Sequence, residues 1–204
     1  GNADWGIYDT SRGVTKALKF NKTDAESTET NGLKVFGTDG FTVGSSGDAN
    51  ASGGTFSSFN FLANGGTTAS NTDGSITSTV QANSTAKCSV VTYTGTGANA
   101  TVGHGLGVIP QIMLVKKTNS TGHWSVYLHT LGGTKISYTS VGVINSANSG
   151  YWNNTDATSS VFSVGTSGGT NSSGNGMIAY CFAEKKGFSK FGKFTGNGST
   201  DGTF

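Results

Sequence analysis

Apolar positions in this chain come in short bursts separated by long polar stretches, and their spacing is that of strands. The densest burst lies in residues 93–116, where glycines at 95, 97, 103, 105 and 107 punctuate a polar connection between two apolar runs. Val90–Thr94 and Ile109–Val115 are too short and too closely flanked by turn residues for helices, so the pattern predicts strand, glycine-rich turn, strand. Pro110, the only proline, fits near the start of the second strand, where its missing N–H costs no ladder bond. Further strands are expected at Trp5–Tyr8, Lys16–Phe20, Val35-Phe36, Gly40–Val43 and Phe56–Leu62, the last placing Phe59 and Phe61 toward a core. Later ones are expected near 88–94, 109–116, 124–128, 135–139, 161–164 and 177–183. In Met177–Ala183 both alternating sets are apolar, which predicts a strand buried on both faces and central in its sheet. Residues 21–33 read as a charged loop.

These bursts recur in order. Trp5-Gly6-Ile7-Tyr8 matches Trp124-Ser125-Val126-Tyr127, and Phe41-Thr42-Val43-Gly44 matches Phe162-Ser163-Val164-Gly165. Asn50-Ala51-Ser52-Gly53 matches Asn171-Ser172-Ser173-Gly174, with Phe59 and Phe61 opposite Tyr180 and Phe182. Phe194-Thr195-Gly196-Asn197-Gly198 repeats Tyr93-Thr94-Gly95-Thr96-Gly97. Conserved order at a nearly constant offset indicates internal duplication. The expected layout is a first β-sandwich copy over 1–64 lacking its opening strands and a polar linker with short strands over 65–84. A complete second copy follows over 85–186, and the opening strand of a further copy over 187–204. The chain accordingly reads as a segment of a longer tandem array, ending on the opening turn Gly202-Thr203-Phe204. A first copy without its opening strands must have Leu18, Phe20, Phe41 and Phe59 covered by something. Upstream chain, the C-terminal piece Phe188–Phe204 and a neighbouring subunit are the three candidates. The favoured expectation is that residues 188–195 form a strand contacting 1–64, and if they do not, another chain completes the first copy.

Composition narrows the class. Hydrophobic residues make up 33% and charged residues only 12%, with 33 glycines and a formal charge of +2. Disordered chains usually combine low hydrophobicity with high net charge, whereas regularly spaced aromatic and β-branched residues here predict an all-β fold. The expected architecture is tandem β-sandwich repeats, jelly-roll or concanavalin-like, with long Gly/Ser/Thr/Asn loops. Lysines are scattered and form no basic stripe, so nucleic acid is not an expected partner. No apolar run approaches the roughly 20 residues that span a bilayer.

The stretch NTDGSITSTVQANSTA at 71–86, running into SVVTYTGTG and HGLGVIPQIMLVK, resembles repeat units of tail-associated and fibre-like proteins of marine tailed bacteriophages. The W-x-(I/V)-Y…G-F-T-V-G…N-x-S-G pattern of Trp5–Gly53 is similar to the same repeats. The resemblance implies a β-rich virion appendage, an extracellular location, other appendage subunits as partners and a homo-oligomer, specifically a trimer. It supplies no catalytic residues. Lys87-Cys88-Ser89 departs from the Gly-Phe-Ser of the next copy, Gly187-Phe188-Ser189.

Candidate chemistry is sparse. His104, between two glycines, reads as a structural turn residue whose ring bonds backbone, together with Gly105, Gly107 and Pro110. His123 and His129 flank the Trp124 strand, and a metal pair there is the less favoured reading. Carboxylates such as Asp9, Asp24, Glu26, Glu29 and Asp39 fall in loops and form no glycosidase-like pair, and the sole arginine, Arg12, is far in sequence from the aromatic loops. No catalytic residue, metal or cofactor is expected. Cys88 and Cys181 read as two buried thiols. The stretch Tyr151-Trp152-Asn153-Asn154 is the one place where an aromatic in a polar loop could stack on a sugar face. Three functions stay open: an appendage module that binds a host-surface glycan or protein, a free-standing carbohydrate-binding module, and, weakest, a polysaccharide-degrading enzyme.

Overall fold

The computed structural model describes residues 4–139, 144–145 and 147–200. The fold is all-β. Its strands are β1 (Gly6–Ile7), β2 (Lys16–Lys19), β3 (Ser27–Thr28), β4 (Leu33–Phe36), β5 (Phe41–Val43), β6 (Ala69–Asn71), β7 (Ser78–Asn83) and β8 (Cys88–Thr94). They continue as β9 (Ala100–Gly103), β10 (Ile112–Lys117), β11 (Ser125–Leu128), β12 (Ile136–Tyr138), β13 (Ile144–Asn145), β14 (Val161–Val164) and β15 (Gly176–Phe182). Among the described residues three single α-helical turns interrupt them, α1 (Gly47–Asn50), α2 (Ser149–Trp152) and α3 (Gly168–Asn171), with 3-10 turns at Asn64–Gly66 and His129–Leu131.

Eight strands form one antiparallel sheet in the order β13-β12-β11-β10-β15-β8-β7-β6. β15 lies inside it, zipped to β10 on one side and β8 on the other, which accounts for a strand apolar on both faces. Met177, Ala179 and Cys181 join Val91, Tyr93, Met113 and Val115 in the larger core, which the β9–β14 pair closes with Val102, Phe162 and Val164. On the opposite face Ile178 and Tyr180 meet Val90, Trp124 and Leu18. Leu18 comes from β2 of a small three-stranded sheet, β1-β2-β3.

The repeat is visible hydrogen bond by hydrogen bond. β1 pairs with β2 through Gly6↔Lys19 and Ile7↔Leu18, and β11 pairs with β12 through Ser125↔Tyr138 and Val126↔Ser137, each partner 119 residues further on. Gly13 N donates to Asp9 O, as Gly132 N does to Leu128 O, and both glycines sit at positive φ, +99° and +75°. Ser46 N donates to Asn31 O and Ser167 N to Gly150 O; Asn50 N donates to Ser46 O and Asn171 N to Ser167 O.

Four expectations need correction. Residues 65–84 are no linker, since β6 and β7 complete one side of the main sheet, with Ser78 and Gln81 buried. The first copy makes no sandwich of its own: β1–β3 lie on the second copy's sheet, and β4 and β5 pair only with each other among the described residues. Phe56–Leu62 form no strand, and Phe59 and Phe61 are 88% and 55% exposed. Their counterpart β15 is held by β10 and β8, and an alternating segment without ladder partners leaves its backbone to water. Residues 188–195 form no strand against 1–64 either. This segment turns back on the end of β15, with Ser189 Oγ donating to Ala183 O and Lys190 Nζ to Glu184 Oε2. The turn at 202–204 lies outside the described residues.

Candidate functional site

The β9–β10 connection is organised by His104, which is fully buried. Leu106 N donates to its Nδ1 at 3.2 Å, so Nδ1 carries no proton, and Nε2–H donates to Thr158 O at 3.1 Å. The ring is thus a neutral Nε2–H tautomer, and burial pushes its pKa down. It ties this connection to the segment before β14, where His104 N also donates to Ser160 O. Gly105 and Gly107 take positive φ within the turn, and Pro110 is buried just ahead of β10. With both nitrogens engaged by backbone, the ring has no face left for a substrate.

Tyr151–Asn154 does not present a ring for stacking. Trp152 is 1% exposed and lies edge-on to Tyr127, with ring centroids 5.5 Å apart. It ends α2, and Asn153 caps that turn in the left-handed region, donating its N–H to Ser149 O at 2.9 Å. The two asparagines are therefore turn-forming residues, Asn154 also having φ +51°, and the tryptophan they follow points inward. Tyr151, half-buried, bonds the Tyr138 hydroxyl. His129 Nδ1 is bonded to the Tyr127 hydroxyl at 3.1 Å, and the His123 ring packs on Tyr138. Among the described residues no three His, Cys, Asp or Glu side chains converge as metal ligands. Cys88 faces the same side as its partner Phe182, opposite to Cys181; both thiols are free, and burial pushes Cys181 up to about 12.

Sequence reasoning missed the most concentrated polar chemistry, a buried cluster joining the two copies. Arg12 Nε donates to Asp9 Oδ2 at 2.6 Å, its Nη1 to Glu26 Oε2 at 3.2 Å, and its Nη2 to the Tyr180 hydroxyl at 3.1 Å. Tyr180 in turn donates to Asp9 Oδ2 at 2.6 Å. Burial drives the Tyr180 pKa well above its ordinary value. Asp9 is paired with the guanidinium, and Glu26 with both the guanidinium and Lys16 Nζ at 3.7 Å, which makes the cluster a weld between the copies. The single signal in the sequence was that the chain has one arginine; its partner lies on β15, 168 residues away. Beside the cluster runs an open cleft of about 310 Å³ lined by Arg12, Glu26, Thr77, Thr79, Thr92 and Thr94.

A second weld holds Lys116. Its Nζ, on a fully buried side chain, donates to Thr23 O at 2.8 Å and Gly122 O at 2.5 Å, and burial with the neighbouring Lys117 charge lowers its pKa to about 8.

The remaining feature is an apolar surface. Val35, Phe36, Phe41, Phe56, Phe59 and Leu62 of the first copy are between 39% and 88% exposed. Large apolar side chains exposed in such number on one stretch of chain, residues 35–62, are the kind of feature that marks interaction sites where they adjoin. No curated protein sequence and no solved structure matches this chain. A family model described as a domain of unknown function, DUF7483, matches residues 1–204, and the chain belongs to that family.

Proposed function

We propose that this chain is a non-enzymatic structural and adhesive module of a bacteriophage tail fibre or similar virion appendage. It is built from a duplicated set of β-strand and turn motifs and works in a homo-oligomer with other appendage subunits, touching a host-surface glycan or protein. One observation carries the reading: aromatic positions buried in the second copy are open in the first, as in a module completed by neighbours. Three further features support it. The surface is polar but sparsely charged, the carboxylates nearest the cleft are locked in ion pairs with Arg12, and the repeat motifs resemble fibre proteins. The carbohydrate-binding alternative loses its anchor with Trp152 buried.

The test is immunogold labelling of phage particles that encode the chain, paired with binding of the labelled chain to host cells. Gold on the appendage and saturable cell binding are expected. Antibody that labels lysate but never particles would overturn the assignment.

A further inference from the structure

In the second copy, the turn after β8 sits in a socket built by α3. Thr96 N donates to Asn171 Oδ1 at 2.7 Å, Asn171 Nδ2 donates to Ala98 O at 2.6 Å, and Gly97 N donates to Asn171 O at 3.0 Å. Gly174 N closes the far side by donating to Gly95 O at 2.9 Å. Tyr93, entering the turn, lies edge-on to Phe162 and donates its hydroxyl to Thr170 O at 2.5 Å.

The first copy carries the same socket, exposed. Asn50 Nδ2 donates to Gly44 O at 2.9 Å, as Asn171 Nδ2 does to Gly165 O at 2.9 Å. Gly53 matches Gly174 in φ, +74° against +69°. Yet Asn171 is fully buried and Asn50 is exposed, and Phe41, which stands where Phe162 does, is 43% exposed. The socket is formed before anything fills it.

The turn that fits it is also formed. Phe194-Thr195-Gly196-Asn197-Gly198-Ser199 repeats the docked Tyr93–Ala98. Gly198 has φ +70° against +74° for Gly97, a left-handed conformation that favours glycine at both places. Ser199 N donates to Asn197 Oδ1 at 2.9 Å, reproducing the Ala98 N to Thr96 Oγ1 bond at 3.3 Å. Phe194, in the place of Tyr93, is 69% exposed.

We propose that the Phe194–Ser199 turn of one chain docks into the Asn50 socket of a second copy of this chain. Turn and socket are different segments and each chain carries both, so the contact joins chains into a closed ring or a linear array. The proposal deepens the appendage reading by naming its partner and rests on that reading for its biological setting.

The experiment mixes Asn50→Cys chains with Asn197→Cys chains of different tag length under mild oxidation. Both positions are exposed, and the native thiols at 88 and 181 are buried. A crosslinked heterodimer formed only in the mixture is expected. Sedimentation of the unmodified chain should show concentration-dependent association, weakened about tenfold or more by Phe194→Asp, the loss typical of a central aromatic anchor, and unchanged by Phe188→Asp. Circular dichroism of each variant confirms that the fold persists. Monomers throughout, equal crosslinking of unmixed chains, or a doubly substituted chain that closes only on itself would each overturn the proposal. Failed particle labelling alongside a successful crosslink would instead strike the appendage reading alone.

Discussion

Phe41 and Phe162 occupy the same place in the repeat and meet opposite fates. Both stand in a strand that leads into a helical turn with serine at its N-cap position, and the backbone bonds of that turn correspond: Ala49 N and Asn50 N donate to Ser46 O as Thr170 N and Asn171 N do to Ser167 O. Phe162 is 1% exposed because β9 pairs with its strand and Tyr93 covers its ring; Phe41 is 43% exposed because β5 pairs with β4 alone. The difference separates two levels of encoding. Turns, caps and left-handed glycines are fixed locally and survive without a core. Burial depends on strands from elsewhere in sequence, and where none pairs among the described residues the same residues stand exposed.

The largest effect should come from truncating the two rings. Phe162→Ala should cost about 4 kcal/mol, the usual loss for a buried phenylalanine, read from urea unfolding of dilute chain. Phe41→Ala under the same conditions should stay within about 0.5 kcal/mol, as for other surface changes. Equal costs would mean that the first copy is closed in solution and the comparison is void.

Next comes the weld between copies. Arg12→Ala leaves the Asp9 carboxylate and Tyr180 hydroxyl buried without their cation and should destabilise by about 3 kcal/mol. A cost near zero would mean that the first copy hangs loosely on the main sheet and that Leu18 is not held against Trp124 and Ile178.

How much of this was legible in the sequence follows from the same division. β8, β14 and β15 lie where alternation places them, because turn residues bound each run and both faces of β15 are apolar. The duplication was legible too, since it rests on turn residues that act locally. β9 was missed: Ala-Thr-Val-Gly among glycines reads as a turn until β14 pairs with it. β7 is legible only as a short strand within a polar linker, because its inward residues include Ser78 and Gln81; Ser78 Oγ donates to Gly103 O, a partner that sequence does not reveal. Phe56–Leu62 misled in the other direction, with a strand pattern and no ladder to join. Trp152 misled because its polar neighbours serve a helix cap. Arg12 could not be placed, because its hydrogen bond to the Tyr180 hydroxyl spans 168 residues and leaves no local trace.

A smaller effect should separate the two sockets. Asn171→Ala removes the donor to Ala98 O and Gly165 O and strands both carbonyls, at about 2 kcal/mol. Asn50→Ala in dilute chain loses one exposed bond to Gly44 O and should change stability by a few tenths of a kcal/mol, the size of other surface changes. Comparable losses would show that the first socket is occupied even at low concentration.

Of the buried positions, the smallest effect falls on His104. His104→Asn can keep an acceptor for Leu106 N but shortens the reach to Thr158 O, so it should cost about 1 kcal/mol at neutral pH. The pH dependence gives the sharper signature. Burial depresses the folded-state pKa, so between the ordinary histidine value and that lower value the unfolded chain binds more protons than the folded one. The stabilisation from the neutral ring is therefore complete above about pH 6.5 and is lost as pH falls toward the folded pKa. Protonating Nδ1 would set a proton against the Leu106 N–H, so the connection between β9 and β10 should open first, and hydrogen exchange at Leu106 should accelerate on acidification. In the Asn variant the same exchange should be fast already and indifferent to pH over this window, once the intrinsic pH dependence of exchange is divided out. If wild type and variant fall in parallel below pH 6.5, some other group carries the acid sensitivity, and the tautomer assigned to His104 is wrong.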